Sequence, residues 1–116
     1  MHELSIAQSI IKVVEKSLPS EFTGTVSTVH LSIGKLSGIE LDALTFAFSI
    51  IRKESLLPMA ELYVEIINGK AVCNSCNKEF ECNEFGKACP YCNNTLVTII
   101  GGKDMKVNRI SVDDKQ

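Results

Sequence analysis

Tryptophan is absent from the sequence, and the other aromatics are few: five Phe and two Tyr. A surface that grips single-stranded nucleic acid stacks successive bases on aromatic rings, and this chain has little to build one from. Neither sign of charge dominates. Twelve Lys and Arg stand against 14 Asp and Glu, a formal net charge of −2. Polyanion binding calls for a basic excess, so neither nucleic acid nor an anionic membrane surface is expected as a partner. No apolar run approaches the roughly 18 residues that a membrane-spanning helix needs. The start of the chain also lacks the pattern of a secretory leader. His2 and Glu3 stand where a basic segment belongs, and Ser5, Gln8, Ser9 and Lys12 break the apolar stretch that follows. A cytoplasmic location is expected. No phosphate-binding loop, paired carboxylates or activated nucleophile stands out, so no enzymatic activity is expected either.

What is present is an ordinary globular composition. The 116 residues are 45% hydrophobic and 22% charged, enough for one domain or for one domain carrying a small inserted module. Residues 3–18 read as an amphipathic helix, with Leu4, Ala7, Ile11, Val14 and Leu18 on one face, Ile10 beside them, and Lys12, Glu15 and Lys16 facing away. Pro19 ends it. Residues 26–36 read as a strand in which Val29, Leu31 and Ile33 alternate with Thr28, His30 and Ser32. His30 reads as a solvated residue of the polar face. Residues 38–57 read as a second helix, opened by a Ser37–Glu40 capping box and stopped by Pro58. Residues 60–67 read as a strand with Leu62, Val64 and Ile66 inward. A third strand is expected over 105–112, with a bulge near Asn108–Arg109 to correct its phase.

Between the last two strands lie all five cysteines, bracketed by Asn68–Gly69 and Gly101–Gly102. In a reducing compartment five thiols do not make a disulfide framework, and metal binding is the default. Cys73-x2-Cys76 is followed after twelve residues by Cys89-x2-Cys92. Each tight turn aims two sulfurs at one point, and two such turns complete a tetrahedron with Zn–S of about 2.3 Å. Four thiolates leave no open position for catalysis, so the zinc is expected to be structural. Val72, Phe80, Phe85 and Tyr91 are the main apolar contributors, too few to fold the module unaided. Cys82 is the spare and reads as a small buried residue. Two other readings of the cysteines stay open at this point. One is a rubredoxin-like iron site, although Asn77 and Asn93, not glycines, follow the two turns. The other is a nucleic-acid zinc ribbon, although Glu79, Glu81 and Glu84 oppose Lys78 and Lys87.

The terminus Met1-His2-Glu3 gathers an α-amine, an imidazole and two backbone amide nitrogens. His2 is bulky enough that the initiator methionine should be retained. Four nitrogens in a plane suit Ni(II) or Cu(II) and suit tetrahedral zinc poorly. The amine titrates near 8 and the imidazole near 6.5, so affinity should fall as pH falls.

Taken together, several features closely resemble the HypA/HybF family, the nickel metallochaperones of nickel–iron hydrogenase maturation. These are Met1-His2-Glu3 with Ser5, the Ile33-Gly34-Lys35-Leu36 segment, the four paired cysteines, and Gly102-Lys103-Asp104-Met105 before the closing strand. The resemblance covers nearly the whole chain. It implies an α+β fold, two helices packed on a three-stranded mixed sheet, with an inserted four-cysteine zinc-ribbon module. It implies a nickel-binding domain from residues 1–69 and 102–116 and a zinc-binding domain from 70–101. Transported Ni(II) would be held by His2 with the Met1 amine and the Glu3 amide, and structural Zn(II) by Cys73, Cys76, Cys89 and Cys92. It implies as partners the hydrogenase large subunit and a nickel-handling maturation GTPase, and some members also serve urease. An acidic residue near position 40 is linked to nickel in some members. Here that residue is Glu40, for which helix capping is sufficient explanation.

Overall fold

The computed structural model describes residues 3–113. Helix α1 spans Glu3–Ser17 and buries Ala7, Ile10, Ile11 and Val14. That is the stripe expected from its periodicity, less Leu4, which is half exposed. Strand β1 (Thr25–Gly34) follows, then α2 (Leu41–Ile51) and a 3₁₀ turn (Arg52–Glu54). Strands β2 (Glu61–Ile67), β3 (Lys70–Cys73), β4 (Glu79–Glu81), β5 (Val97–Gly101) and β6 (Met105–Asp113) complete the chain.

The expected α+β architecture is present. The first sheet has the order β2-β1-β6. Lys35 N–H donates to Ile67 O, and the His30 ring meets the Tyr63 ring, so β1 and β2 run the same way. Gly34 N–H donates to Asp104 O while Ser27 Oγ donates to Ser111 O, so β6 runs opposite to β1. The sheet is therefore mixed. The two helices pack on each other, with Leu44 and Phe48 of α2 buried. Val26, Val29, Leu31, Leu57 and Ala60 are buried as well.

Helix α2 is shorter than its sequence pattern suggests, and the reason is local at both ends. Ser37 does not cap it; Ser37 sits in a turn, its N–H bonded to Gly34 O at 3.0 Å. Glu40 is the N-cap, accepting from Asp42 N–H at 3.3 Å, and its own N–H donates to the Glu3 carboxylate at 3.0 Å. At the other end the Ser55 hydroxyl donates to Arg52 O at 2.7 Å and accepts from Leu57 N–H at 3.1 Å. That exchange draws off the carbonyl a further helical turn would need, well before Pro58.

Side-chain direction differs from expectation at several strand positions. Ile66 is 46% exposed, not inward. In β6 both Asn108 and Arg109 are exposed between half-buried Val107 and Ile110, so the alternation does slip where the sequence phase slips. His30 is not simply solvated: its Nε2 lies 3.2 Å from Ser111 Oγ, and its ring centroid is 5.2 Å from that of Tyr63.

The chain divides into two compact units, one from the described parts of 1–31, 39–64 and 107–116, the other from 32–38 and 65–106. The second unit contains its own sheet, ordered β4-β3-β5 and antiparallel throughout. Its core is Ala71, Cys73, Phe80, Cys82 and Cys89, with Cys76, Val97 and Ile99 packed against it. Phe85 and Tyr91, expected to contribute, are 67% and 60% exposed instead. Small and sulfur-bearing side chains fill the interior that the two rings would have overfilled.

Candidate metal centre

The two Cys-x2-Cys turns are near copies of each other. In the first, Asn77 N–H donates to Cys73 O at 2.9 Å and Cys73 N–H to Lys78 O at 3.0 Å. In the second, Asn93 N–H donates to Cys89 O at 2.8 Å and Cys89 N–H to Asn94 O at 2.9 Å. Backbone N–H groups also point at sulfur: Ser75 at Cys73 Sγ and Tyr91 at Cys89 Sγ, both at 3.4 Å. Each turn closes on an asparagine in the left-handed region, with φ of 61° at Asn77 and 65° at Asn93. Asparagine tolerates that conformation better than other side-chain-bearing residues. The signal was visible in the sequence as an Asn directly after each pair. Asn77→Val is expected to destabilise the metal-loaded protein by about 1–2 kcal/mol and Asn77→Gly to be close to neutral, read by thermal denaturation. Equal stability of the two variants would mean that backbone conformation at this position carries no cost.

These turns bring Cys73, Cys76, Cys89 and Cys92 together, their sulfurs all within 4.8 Å of one another. Cys73 and Cys92 Sγ are 3.4 Å apart, and Cys76 and Cys89 Sγ are 3.8 Å apart. A tetrahedron with Zn–S of about 2.3 Å has S···S edges of about 3.8 Å, so the donor set fits zinc in number, type and spacing. The N–H groups that hold the turns also favour thiolate. The Cys76 N–H lowers the Cys73 thiol most; burial opposes it, the Ser75 N–H and Cys92 assist, and the result is about 6. At Cys89 burial pushes upward, but the N–H groups of Tyr91 and Cys92 bring the net direction down. At Cys92 the Asn94 N–H pulls down, but the shared hydrogen bond with Cys73, burial and the neighbouring thiols push it up to about 12. Without metal, the Cys92 thiol thus serves as donor to a Cys73 thiolate. A divalent cation takes over that neutralising role and allows all four sulfurs to ionise.

Cys82 stays outside this set. It is fully buried, and its Sγ donates to Glu84 O at 3.1 Å. Met1 and His2 lie outside the described residues. Glu3, the third expected nickel residue, opens α1, and its carboxylate accepts from Glu40 N–H. Lys78 Nζ sits over the exposed Tyr91 ring at 4.9 Å. Among the described residues, the four cysteines are the one group of ligating side chains close enough to share an ion.

Fold and site define a small α+β metal protein with a four-thiolate ribbon set into its sheet-forming chain. Comparison with known proteins narrows that class. The family model described as hydrogenase/urease nickel incorporation metallochaperone, HypA, matches residues 1–112. A hydrogenase maturation factor HypA from Parabacteroides distasonis is 38% identical over 112 residues, covering 97% of both chains. Its counterpart from Psychromonas ingrahamii is 37% identical, covering 98% of this chain and all of that one. The solution structure of the Ni metallochaperone HypA from Helicobacter pylori superposes with a TM-score of 0.70 at 25% identity, over 99% of this chain and 100% of that one. The chain belongs to the HypA family of nickel-incorporation metallochaperones.

Proposed function

We propose that this protein binds Ni(II) at its N-terminus and delivers it during nickel–iron hydrogenase maturation, while a separate zinc holds the ribbon. The family match carries the reading, because it extends through the N-terminal residues, Met1-His2-Glu3 included. His2 supplies the imidazole, Met1 the α-amine and Glu3 a backbone nitrogen. The engagement of the Glu3 carboxylate by Glu40 N–H supports this division, since it commits that side chain to holding α1 and leaves the peptide nitrogen as the donor offered. Nitrogen donors around a d8 ion suit nickel, and four thiolates suit zinc, so the two metals sort by ligand type. Residues 1–69 and 102–116 form the nickel-binding domain and 70–101 the zinc-binding domain, with Cys73, Cys76, Cys89 and Cys92 as zinc ligands. The protein acts in the cytoplasm as a carrier, not a catalyst. Its partners are the hydrogenase large subunit, a nickel-handling maturation GTPase and, through the same delivery chemistry, proteins of urease maturation.

The test is metal stoichiometry on untagged protein. Wild type is expected to hold one tight zinc and to take up one nickel by calorimetry. His2→Ala is expected to keep the zinc and lose the nickel. Unchanged nickel uptake in His2→Ala would move the site elsewhere, to Glu40, His30 or the cysteines.

A further inference from the structure

Helix α2 is apolar on two opposite faces. One is buried: Leu44 and Phe48 point inward, flanked by half-buried Leu41, Ala47 and Ile51. At 100° per residue the opposite face carries Asp42, Phe46, Ser49 and Ile50, within about 100° of arc. Phe46 is 68% and Ile50 is 52% exposed. The Ser49 hydroxyl on this stripe donates to Phe46 O at 2.6 Å, so it makes no demand on solvent. Asp42 is the helix's one charged residue. Helix α1 provides the internal contrast, because its outward side carries Gln8, Ser9, Lys12 and Lys16. A helix apolar all round is ordinarily covered on every side.

The charges at the ends of the stripe say what covers it. Exposed Asp42 stands four residues before Phe46, and exposed Lys53, in the 3₁₀ turn, stands three residues after Ile50. The midpoint of the charged pair and the midpoint of the apolar pair both fall at residues 47–48. Opposite charges equally spaced about an apolar centre make the stripe complementary to itself under a two-fold rotation. Isologous dimer contacts require that property. We propose that this face of α2 is a dimer interface that takes a second copy of the chain, the two α2 helices running antiparallel. Asp42 of one copy then faces Lys53 of the other, twice, with Phe46 and Ile50 packed between. A parallel pairing would set Asp42 against Asp42 and Lys53 against Lys53. One face of an 11-residue helix buries less than the roughly 1,000 Å² of a strong interface, so the dimer is weak, dissociating at about 10–500 μM.

Sedimentation of the zinc-loaded full chain from about 10 μM to 1 mM tests this, with circular dichroism confirming that each variant is folded. Wild type is expected to shift from monomer to dimer across that range. Phe46→Asp, at an exposed position, is expected to stay monomeric throughout. Asp42→Lys and Lys53→Asp singly are expected to weaken association by about 2- to 10-fold, and the double swap to restore it. The proposal is overturned by a wild type that stays monomeric at 1 mM, by a dimer indifferent to Phe46→Asp, or by a double swap no better than the singles. Nickel uptake is not read, so the outcome is independent of the carrier function.

Discussion

Stripping the metal from the four cysteines, or replacing Cys89 by Ser, is expected to unfold the ribbon while the core around Ala7, Leu31, Leu44 and Phe48 persists. The ribbon core holds five buried residues, three of them cysteines, and Phe80 is its single large side chain. Burying one Phe and a few small groups yields on the order of 2–3 kcal/mol each at best, whereas ordering each residue costs about 1–2 kcal/mol of backbone entropy. Over a module of this length the deficit falls to the metal, whose apparent binding in small zinc peptides is about 10–16 kcal/mol. Two of the buried core residues, Cys73 and Cys89, are also proposed ligands, so losing the ion breaks packing and coordination together. Hydrogen exchange after chelation is the measurement. The amides of β3 and β5 should lose protection while those of α1 and β1 near Val29 keep it. Persistent protection in β3 would show that the ribbon sheet stands without metal.

Gly34→Ala is expected to cost about 3 kcal/mol or more. A Cβ on Gly34 would lie 2.0 Å from Gly102 O and 2.2 Å from the Gly102 carbonyl carbon. These are backbone atoms, so no rotamer change relieves the clash and the chain itself must move. The neighbouring strand is equally confined, because a Cβ on Gly102 would lie 2.5 Å from Gly69 Cα, and Gly102 adopts φ +83°. Gly86 is the control. Its φ of +84° is as unusual, but a Cβ there meets nothing within 4 Å, so Gly86→Ala should cost only about 1 kcal/mol. Urea denaturation of the two zinc-loaded variants separates crowding from conformation. Equal, small effects would mean that the Gly34 crossing has room to give.

What could be read from the sequence was what is local. The cysteine pairs were legible because each turn is built within six residues by its own hydrogen bonds. Helix α1 was legible because its stripe repeats over four turns. The start of α2 was not, since its cap depends on a carboxylate 37 positions away at Glu3. The three ribbon strands were missed for a related reason. At three to five residues each, they are too short to show a period, and their register is set by pairing across the metal site. Phe85, Tyr91 and Ile66 were misplaced because hydrophobicity alone does not say how much interior is available. The candidate zinc ligands were named residue by residue, whereas the mutual capping of Glu3 and Glu40 came from tertiary structure alone.

The near contact of Gly69 with Gly102 bears on how the chain finds its fold. Strands β2 and β6 lie on either side of β1 in the first sheet, separated along the sequence by the whole ribbon. Once the ribbon has closed, its two feet coincide, and for the rest of the molecule residues 70–101 shrink to a single link. The loop-closure entropy of joining β2 to β6 is then already met, and the contact order of the sheet falls accordingly. Metal added before refolding should therefore speed assembly of β2-β1-β6, a sheet that contains none of the ligands.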